Sequence, residues 1–290
     1  IPEHRVARMF LTPSQLIDLL DWPEDELPDM SSVTNIIYGT APTPAAKIEE
    51  ALRRFGPIFQ QGYGMAEVLP PVSLLQMEEH MRDGQPATRN VLSSVGRVVP
   101  QVQVIIANEK DAPLPPGEIG QVLIKSPTVF AGYWRQPELT ARTLAGGWMH
   151  TGDFGFFDRD GYLHVLDRRP DLLRRGDRLI YPRTIEEVAH DHPSVKEACL
   201  VGQGTALVMC ISLRRAARID SGDSAAADAA GAEMMAFLAE RIEPWQMPDR
   251  VRVLEELPRS YLRKVLRREI REMLAREAYT HEGHAISAPS

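Results

Sequence analysis

The chain has 290 residues, 43% of them hydrophobic and 25% charged, with a formal net charge of −7. This length supports a large core and about two domains, the composition is that of an ordinary globular protein, and the acidic balance argues against a nucleic-acid partner. Cys199 and Cys210 lie in apolar runs without metal-type spacing, the pattern of buried thiols in a reducing compartment. No apolar run approaches a membrane span and no signal peptide opens the chain, so a cytoplasmic protein is expected.

The chain starts at Ile1 rather than methionine, which suggests a processed or excised piece. The first helix is marked by Thr12-Pro13-Ser14-Gln15: a capping threonine, proline at the first helical position and a glutamine able to close a capping box. A second helix is expected to be capped by Thr43, to begin after Pro44 and to end at Gly56. Between them Asn35-Ile36-Ile37-Tyr38 reads as a short buried strand, and Ile58-Phe59 as the next. Strand, helix and strand alternate, as in an α/β domain.

From Ser94 to Leu166 the pattern turns β-rich. Val102 to Ile106 and Gln121 to Ile124 are strand-like around a turn at 111–117, and Arg159-Asp160-Gly161 joins a hairpin. A densely charged stretch from Arg168 to Arg178 follows, then a helix through Ile185 to Val188 and strands at Val195–Val201 and Ala206–Ile211. The Ala-, Asp- and Ser-rich run 215–232 reads as a mobile loop. A helix from Glu233 to Ile242, a strand from Val251 to Leu254 and a closing helix from about Lys264 complete the pattern. The expected fold is thus α/β to about residue 90 and β-rich over 94–167. A small α+β domain follows over 168–278, with a hinge near 168–171 and a disordered tail over 279–290.

Three segments carry candidate chemistry. In QGYGMAE, Gly62 and Gly64 flank Tyr63, an aromatic face with a polar tip, and Glu67 offers oxygens for a hard cation such as Mg²⁺. The segment is either a nucleotide platform or a strand ending in a tight turn. Asp153, in a Gly-flanked loop, and Arg168 together suit the hydroxyls of a ribose; singly they suit a turn cap and a solvated cation. Lys264, among arginines at a loop-to-helix junction, suits a phosphate or carboxylate, or simply the wet face of a basic helix. His190-Asp191-His192 is expected at the surface, and Arg267, Arg268 and Arg271 either meet phosphates or form a solvated face.

Taken in order, YGTAPTP, QGYGMAE, SVGRVVP, PLPPGEIGQVLIKSPTVFAGYW, TGDFGFFDRDGYLHVLDR, RRPDLLRRGDRLIYPRTIEE and LPRSYLRKVLRRE resemble the adenylate-forming superfamily of acyl-CoA synthetases, luciferases and adenylation domains. The resemblance runs from about Phe10 to Met273. It implies that Tyr63 stacks on adenine against the backbone of Gly39, Thr40 and Ala41, that Gly62 and Gly64 line that site, and that Asp153, helped by Arg168, binds the ribose. It implies that Glu67 holds Mg²⁺, that Lys264 bridges the acyl carboxylate and α-phosphate, and that Asp171 is the hinge of a mobile small domain. Arg174, Arg175, Gly176 and Asp177 would face the CoA arm, and His4 would lie near the acyl pocket or merely flank a helix. The implied activity is ATP- and Mg²⁺-dependent activation of a carboxylic acid, most simply a fatty acid, as acyl-AMP, followed by thioester formation with CoA. Hand-off to a carrier protein and a non-catalytic nucleotide- or partner-binding module are the alternatives.

The sequence departs from that pattern. No Ser/Thr/Gly-rich phosphate loop ending Pro-Lys-Gly precedes Gly39, and no GxxxxGK[ST] is present. The chain therefore reads as the C-terminal portion of a synthetase, expected to bind AMP weakly, to make no acyl-adenylate unaided, and to self-associate or pair with an N-terminal half. Ala66 stands for a threonine whose hydrogen bond to phosphate is worth about 1.5–3 kcal/mol. Asp177 and Arg263 stand for glycines, and Thr184 for a glutamate.

Overall fold

The computed structural model describes residues 1–220, 222–261 and 263–283. Their contacts divide the chain into two compact units, Ile1–Pro170 and Asp171–Ser290. The first unit opens with β1 (Arg8–Leu11), α1 (Pro13–Leu20), β2 (Asn35–Gly39), α2 (Ala45–Phe55), β3 (Phe59–Tyr63) and β4 (Ser73–Leu75). The small ribbon β5 (Met81–Arg82) and β6 (Gln85–Pro86), α3 (Arg89–Ser93) and β7 (Arg97–Val98) follow. One sheet has the order β1-β2-β3-β4-β7, parallel through its first three strands and antiparallel beyond. The α/β layer therefore extends to residue 98, past the boundary expected near 90.

The capping box at Thr12 is present: Thr12 Oγ1 accepts from the Gln15 amide and Gln15 Oε1 from the Thr12 amide. Thr43 does not cap the second helix. Pro44 takes the N-cap position, and Thr43 is buried with its hydroxyl unpartnered. At the far end of α2, Arg54 donates to the carbonyls of Leu20 (2.9 Å) and Trp22 (2.6 Å), so its guanidinium closes the C-terminus of α1. The core of this layer gathers Leu16, Ile36, Tyr38, Ile48, Leu52 and Phe59.

Against Tyr38 lies His80, fully buried, its Nε2 2.9 Å from the Tyr38 hydroxyl and its Nδ1 2.7 Å from the Gln76 carbonyl. A carbonyl only accepts, so Nδ1 carries the proton and Nε2 accepts from Tyr38.

A second, antiparallel sheet follows, in the order β11-β10-β9-β8: β8 (Gln103–Ala107), β9 (Gly120–Lys125), β10 (Met149–Phe157) and β11 (Leu163–Arg168), with α4 (Pro137–Thr143) between β9 and β10. The β10–β11 connection is the Asp-Gly hairpin. Asp158 fixes it by accepting from the amides of Asp160 and Tyr162.

The second unit begins with a hairpin, β12 (Leu173–Arg175) and β13 (Arg178–Ile180), followed by α5 (Pro182–Ala189). Its main sheet joins β14 (Val195–Gln203) and β15 (Ala206–Leu213), antiparallel, to β16 (Arg250–Leu254), parallel. Leu200, Met209 and Ile211 pack with Ile185 of α5 and Met234 and Leu238 of α6 (Ser224–Ala239). Cys199, Val201, Val208 and Cys210 pack with Ile270 and Leu274 of α7 (Arg267–Gly283). Burial on both faces is why these strands read as unbroken apolar runs, and both cysteines are free buried thiols.

Four expectations are corrected in this unit. The run 215–232 is not a loop over its whole length, because α6 starts at Ser224. Alanine is the best helix former, and Asp223 caps the helix by accepting from the Ala226 amide at 2.9 Å. The last helix starts at Arg267 rather than Lys264, and it continues to Gly283 through the start of the expected tail, whose residues 284–290 lie outside the described ones. His190 and His192 are buried rather than superficial, and α6 packs over His192. His192 sits 3.3 Å from Glu233 and edge-on to Phe237. Arg267 is neither a free phosphate contact nor a solvated residue: it forms a bidentate pair with Glu186 (2.6 and 2.8 Å) and donates to the Leu200 carbonyl.

Two outcomes follow from these packed polar groups. Burial pushes the His80 pKa from 6.5 down to about 4, so the native state resists a proton that the unfolded chain takes. The stability it contributes is complete above pH 6.5 and is lost as pH falls towards 4, by roughly 3 kcal/mol at 1.36 kcal/mol per unit. Urea unfolding should show that loss in the native sequence and a smaller one in His80→Gln. Arg267→Ala, which leaves the half-buried Glu186 with the Leu200 amide but without its guanidinium, should destabilise by about 1–3 kcal/mol. Arg268→Ala, on a largely exposed side chain, should stay within about 0.5 kcal/mol in the same thermal melts.

Candidate nucleotide site

The parallel strands β2 and β3 end side by side, with Gly39 paired to Gly62. A Cβ on Gly39 would lie 2.4 Å from the Gly62 carbonyl oxygen, so only glycine lets the two main chains run flush at their carboxyl ends. Such ends are where open α/β sheets place ligands. Immediately beyond, Thr40 holds φ +74, a costly conformation for a β-branched residue and one that concentrates at functional sites. Ala41 continues this loop, while Gly64, after β3, has Pro70 packed against it.

Tyr63 closes β3 and donates its hydroxyl to Asp153 Oδ2 at 2.6 Å. Asp153 sits on β10 opposite Arg168 of β11 at an irregularity in the ladder. Arg168 Nε donates to the other oxygen, Oδ1, at 3.1 Å. Asp153 is only 4% exposed, whereas the Arg168 side chain is 61% exposed. Three strands from two sheets thus deliver a tyrosine, an aspartate and an arginine to one point. Burial raises the Asp153 pKa, opposed by the bonds from Tyr63 and Arg168 and assisted by the charge of Glu67. Burial and the Asp153 charge push the Tyr63 pKa well up, so its hydroxyl remains a donor. A carboxylate has about four acceptor sites; two are used here, leaving capacity for a pair of hydroxyls.

Glu67 lies on the short turn Ala66–Val68 that follows β3. Its Oε1 accepts from the hydroxyl of Tyr133 at 2.9 Å, a residue that no local signal in the sequence singles out. The donor set available to a cation is one carboxylate, and no group of three His, Cys, Asp or Glu side chains is gathered for a metal among the described residues. That fits Mg²⁺, which keeps several waters and takes one or two carboxylates plus phosphate oxygens. It does not fit a metal caged by protein alone. His4 lies in an exposed turn, its Nε2 3.9 Å from Glu3.

The remaining candidates belong to the second unit. Arg174 and Arg175 end β12, and Gly176 (φ +59) and Asp177 make the two-residue turn into β13. Arg175 is tied to Asp249 at 2.6 Å, and Asp249 also accepts from the Leu207 amide, which anchors the hairpin to the main sheet. Asp171 stands at the start of the unit, 4.0 Å from Arg271. Lys264 lies in the loop before α7. The Lys264 amide donates to Ser260 Oγ, its carbonyl accepts from the Ser260 amide, and Arg263 holds φ +62 where the family pattern has glycine. Arg259, missed in the sequence, pairs with buried Glu197 of β14 and pins that loop.

Known proteins resemble this chain in sequence and fold. The family described as AMP-binding enzyme matches residues 1–134, and the AMP-binding enzyme C-terminal domain matches residues 184–276. The medium/long-chain-fatty-acid–CoA ligase FadD8 of Mycobacterium tuberculosis is 35% identical over 277 residues, covering 93% of this chain and 47% of that protein. A feruloyl-CoA synthase of an Amycolatopsis species is 32% identical over 93% of this chain and 52% of its own. The amide bond synthetase McbA of Marinactinospora thermotolerans superposes with a TM-score of 0.80 at 31% identity, over 94% of this chain and 53% of that one. The chain spans about half the length of the relatives it matches. With both family domains present in order and the fold shared, the chain belongs to the adenylate-forming, AMP-binding enzyme superfamily.

Proposed function

We propose that this chain carries the nucleotide-binding and C-terminal parts of an acyl-CoA synthetase that uses ATP, Mg²⁺ and CoA. The observation that carries the reading is the junction of Tyr63, Arg168 and buried Asp153. A carboxylate kept from water and held by two side chains is a strong acceptor for vicinal ribose hydroxyls. Tyr63 supplies an aromatic face beside the Gly39–Ala41 backbone for the base. In the adenylation step the acid's carboxylate attacks the α-phosphorus and pyrophosphate leaves. Lys264 is assigned to offset the charge that develops. Glu67 would hold Mg²⁺, directly or through water, and the ion would supply further neutralisation of phosphate charge. In the second step the CoA thiol displaces AMP from the acyl carbonyl, with the Arg174–Asp177 hairpin facing the thiol substrate and Asp171 acting as hinge. The names of FadD8 and feruloyl-CoA synthase support a fatty or aryl acid as substrate, of which we take the fatty acid.

Calorimetry tests the ribose assignment. Asp153→Asn should weaken AMP binding about tenfold or more, the loss of hydrogen bonds to a charged acceptor. The penalty for 2′-deoxy-AMP in the native sequence should largely vanish in that variant. Equal affinities of native chain and variant for AMP would remove the assignment. AMP affinity should also fall with pH as Asp153 takes up a proton, at a higher pH than an unburied carboxylate because its pKa is raised.

The acceptor is tested by supplying preformed acyl-adenylate. CoA should be converted to its thioester, and Asp177→Gly should raise that rate by removing a carboxylate from the thiol-facing turn. Transfer to a carrier protein but not to CoA would replace CoA as the acceptor.

A further inference from the structure

The segment after Glu67 is stitched to residues 128–133. The Phe130 amide donates to the Glu67 carbonyl at 2.8 Å, Thr128 Oγ1 to the Val68 carbonyl at 2.6 Å, and the Tyr133 hydroxyl to Glu67 Oε1 at 2.9 Å. The first two fix the main chain that bears Glu67. The third reaches the carboxylate itself, and it comes from a side chain that is unusually well held. The Tyr133 amide donates to Thr140 Oγ1 at 2.9 Å, and Thr140 in turn donates to the Gln136 carbonyl at 2.9 Å. The Tyr133 ring meets Phe130 edge-on, with centroids 4.7 Å apart and planes at 72°. Just before it, a Cβ on Gly132 would lie 2.5 Å from Thr140 Cγ2, so the approach that seats Tyr133 leaves no room for a side chain there. A carboxylate oxygen only accepts, so in this contact the Tyr133 hydroxyl is the donor.

A glutamate has three rotatable side-chain bonds, and a free one spreads its oxygens over many positions. A donor on one oxygen removes much of that freedom while leaving the carboxylate ionised and its other oxygen open. Partners that orient a metal-binding carboxylate in this way typically contribute 10–100-fold to metal affinity.

We propose that Tyr133 is a positioning residue for Glu67, its hydroxyl turning the carboxylate to receive a divalent cation beside the nucleotide. The proposal rests on the reading that Glu67 binds the cation, and the test separates the two. Mn²⁺, a spin-active substitute for Mg²⁺, is titrated by electron paramagnetic resonance into the full chain saturated with AMP, and AMP affinity is measured separately without metal.

Glu67→Gln should reduce Mn²⁺ binding to that of AMP in solution. Tyr133→Phe, which removes one oxygen and keeps the ring, should weaken Mn²⁺ binding about 10- to 100-fold and leave metal-free AMP affinity within about twofold. A loss in Glu67→Gln with no change in Tyr133→Phe overturns the role of Tyr133 and leaves that of Glu67 standing. Native Mn²⁺ binding unchanged in Glu67→Gln, or absent from the native chain, overturns both. A Tyr133→Phe variant that loses metal-free AMP affinity in the same proportion assigns Tyr133 to packing alone and also overturns the proposal.

Discussion

A carboxylate out of water must be partnered or neutralised, and in this chain that constraint falls on Asp153. Its two oxygens are met from different strands, by the Tyr63 hydroxyl at the end of β3 and by Arg168 on β11. The contact crosses 90 residues of sequence and joins the mixed sheet to the antiparallel one. Losing either partner would leave a buried acceptor under-satisfied, at a cost of about 1–3 kcal/mol. The pairing therefore fixes the relative placement of these strands as well as the chemistry at their ends. The flush approach of Gly39 to Gly62 sets the other wall of the same region, and Glu67 follows only four residues after Tyr63. The site is a consequence of how the two sheets of the first unit are joined.

Much of this was legible before the structure. Strand and helix positions in the first unit follow from apolar runs punctuated by Pro and Gly, and the Thr12 capping box and the Asp-Gly hairpin are local signals that the structure repeats. Tyr63, Asp153 and Arg168 were each ambiguous in isolation. Only the order of seven segments joined them, because contacts between distant strands leave no periodic trace in a sequence. The failures have local causes. An alanine-rich run between charged residues looks like low complexity, yet high propensity and one aspartate cap make it α6. His192 looks solvated because nothing near it in sequence reveals that α6 covers it. Tyr133 and Arg259 act through partners more than 60 residues away, and neither belongs to a short motif with its partner.

The basic tail of the chain shows how one residue type serves different ends. Arg259 is spent on buried Glu197 of β14 and Arg267 on Glu186 of α5. Those two pairs anchor the chain on either side of Lys264. Between them the Ser260 amide donates to the Lys264 carbonyl, the Lys264 amide donates to Ser260 Oγ, and Arg259 bridges to Val265. Buried ion pairs are weak net contributors to stability, because desolvation offsets much of the attraction, but breaking one is expensive. On the role proposed for Lys264, a cation meeting a transient negative charge gains from anchored flanks, since reorganisation at the moment of reaction is what electrostatic catalysis avoids.

The backbone shows the same preference for placement over local comfort. Thr40, Leu69 and Arg263 hold φ values of +74, +52 and +62. None is a residue type that tolerates the left-handed region well, unlike Asp83 and Asp111 in ordinary turns. Thr40 follows Gly39 at the mouth of β2, Leu69 lies two residues after Glu67, and Arg263 immediately precedes Lys264. These three adjoin positions to which the chemistry is assigned; Arg5, Gln101 and Arg135 also hold positive φ, so it is location rather than strain alone that sets the three apart. Strain of this kind costs about 1–3 kcal/mol per residue and persists only where surrounding contacts over-determine it. The surrounding contacts are visible: the Gly39–Gly62 pairing beside Thr40, the Thr128 and Phe130 bonds around Leu69, and the Ser260 closure at Arg263. Glycine would relieve the backbone at all three positions, but it would also loosen the loops that carry Glu67 and Lys264, so local instability and a fixed site are two results of the same packing.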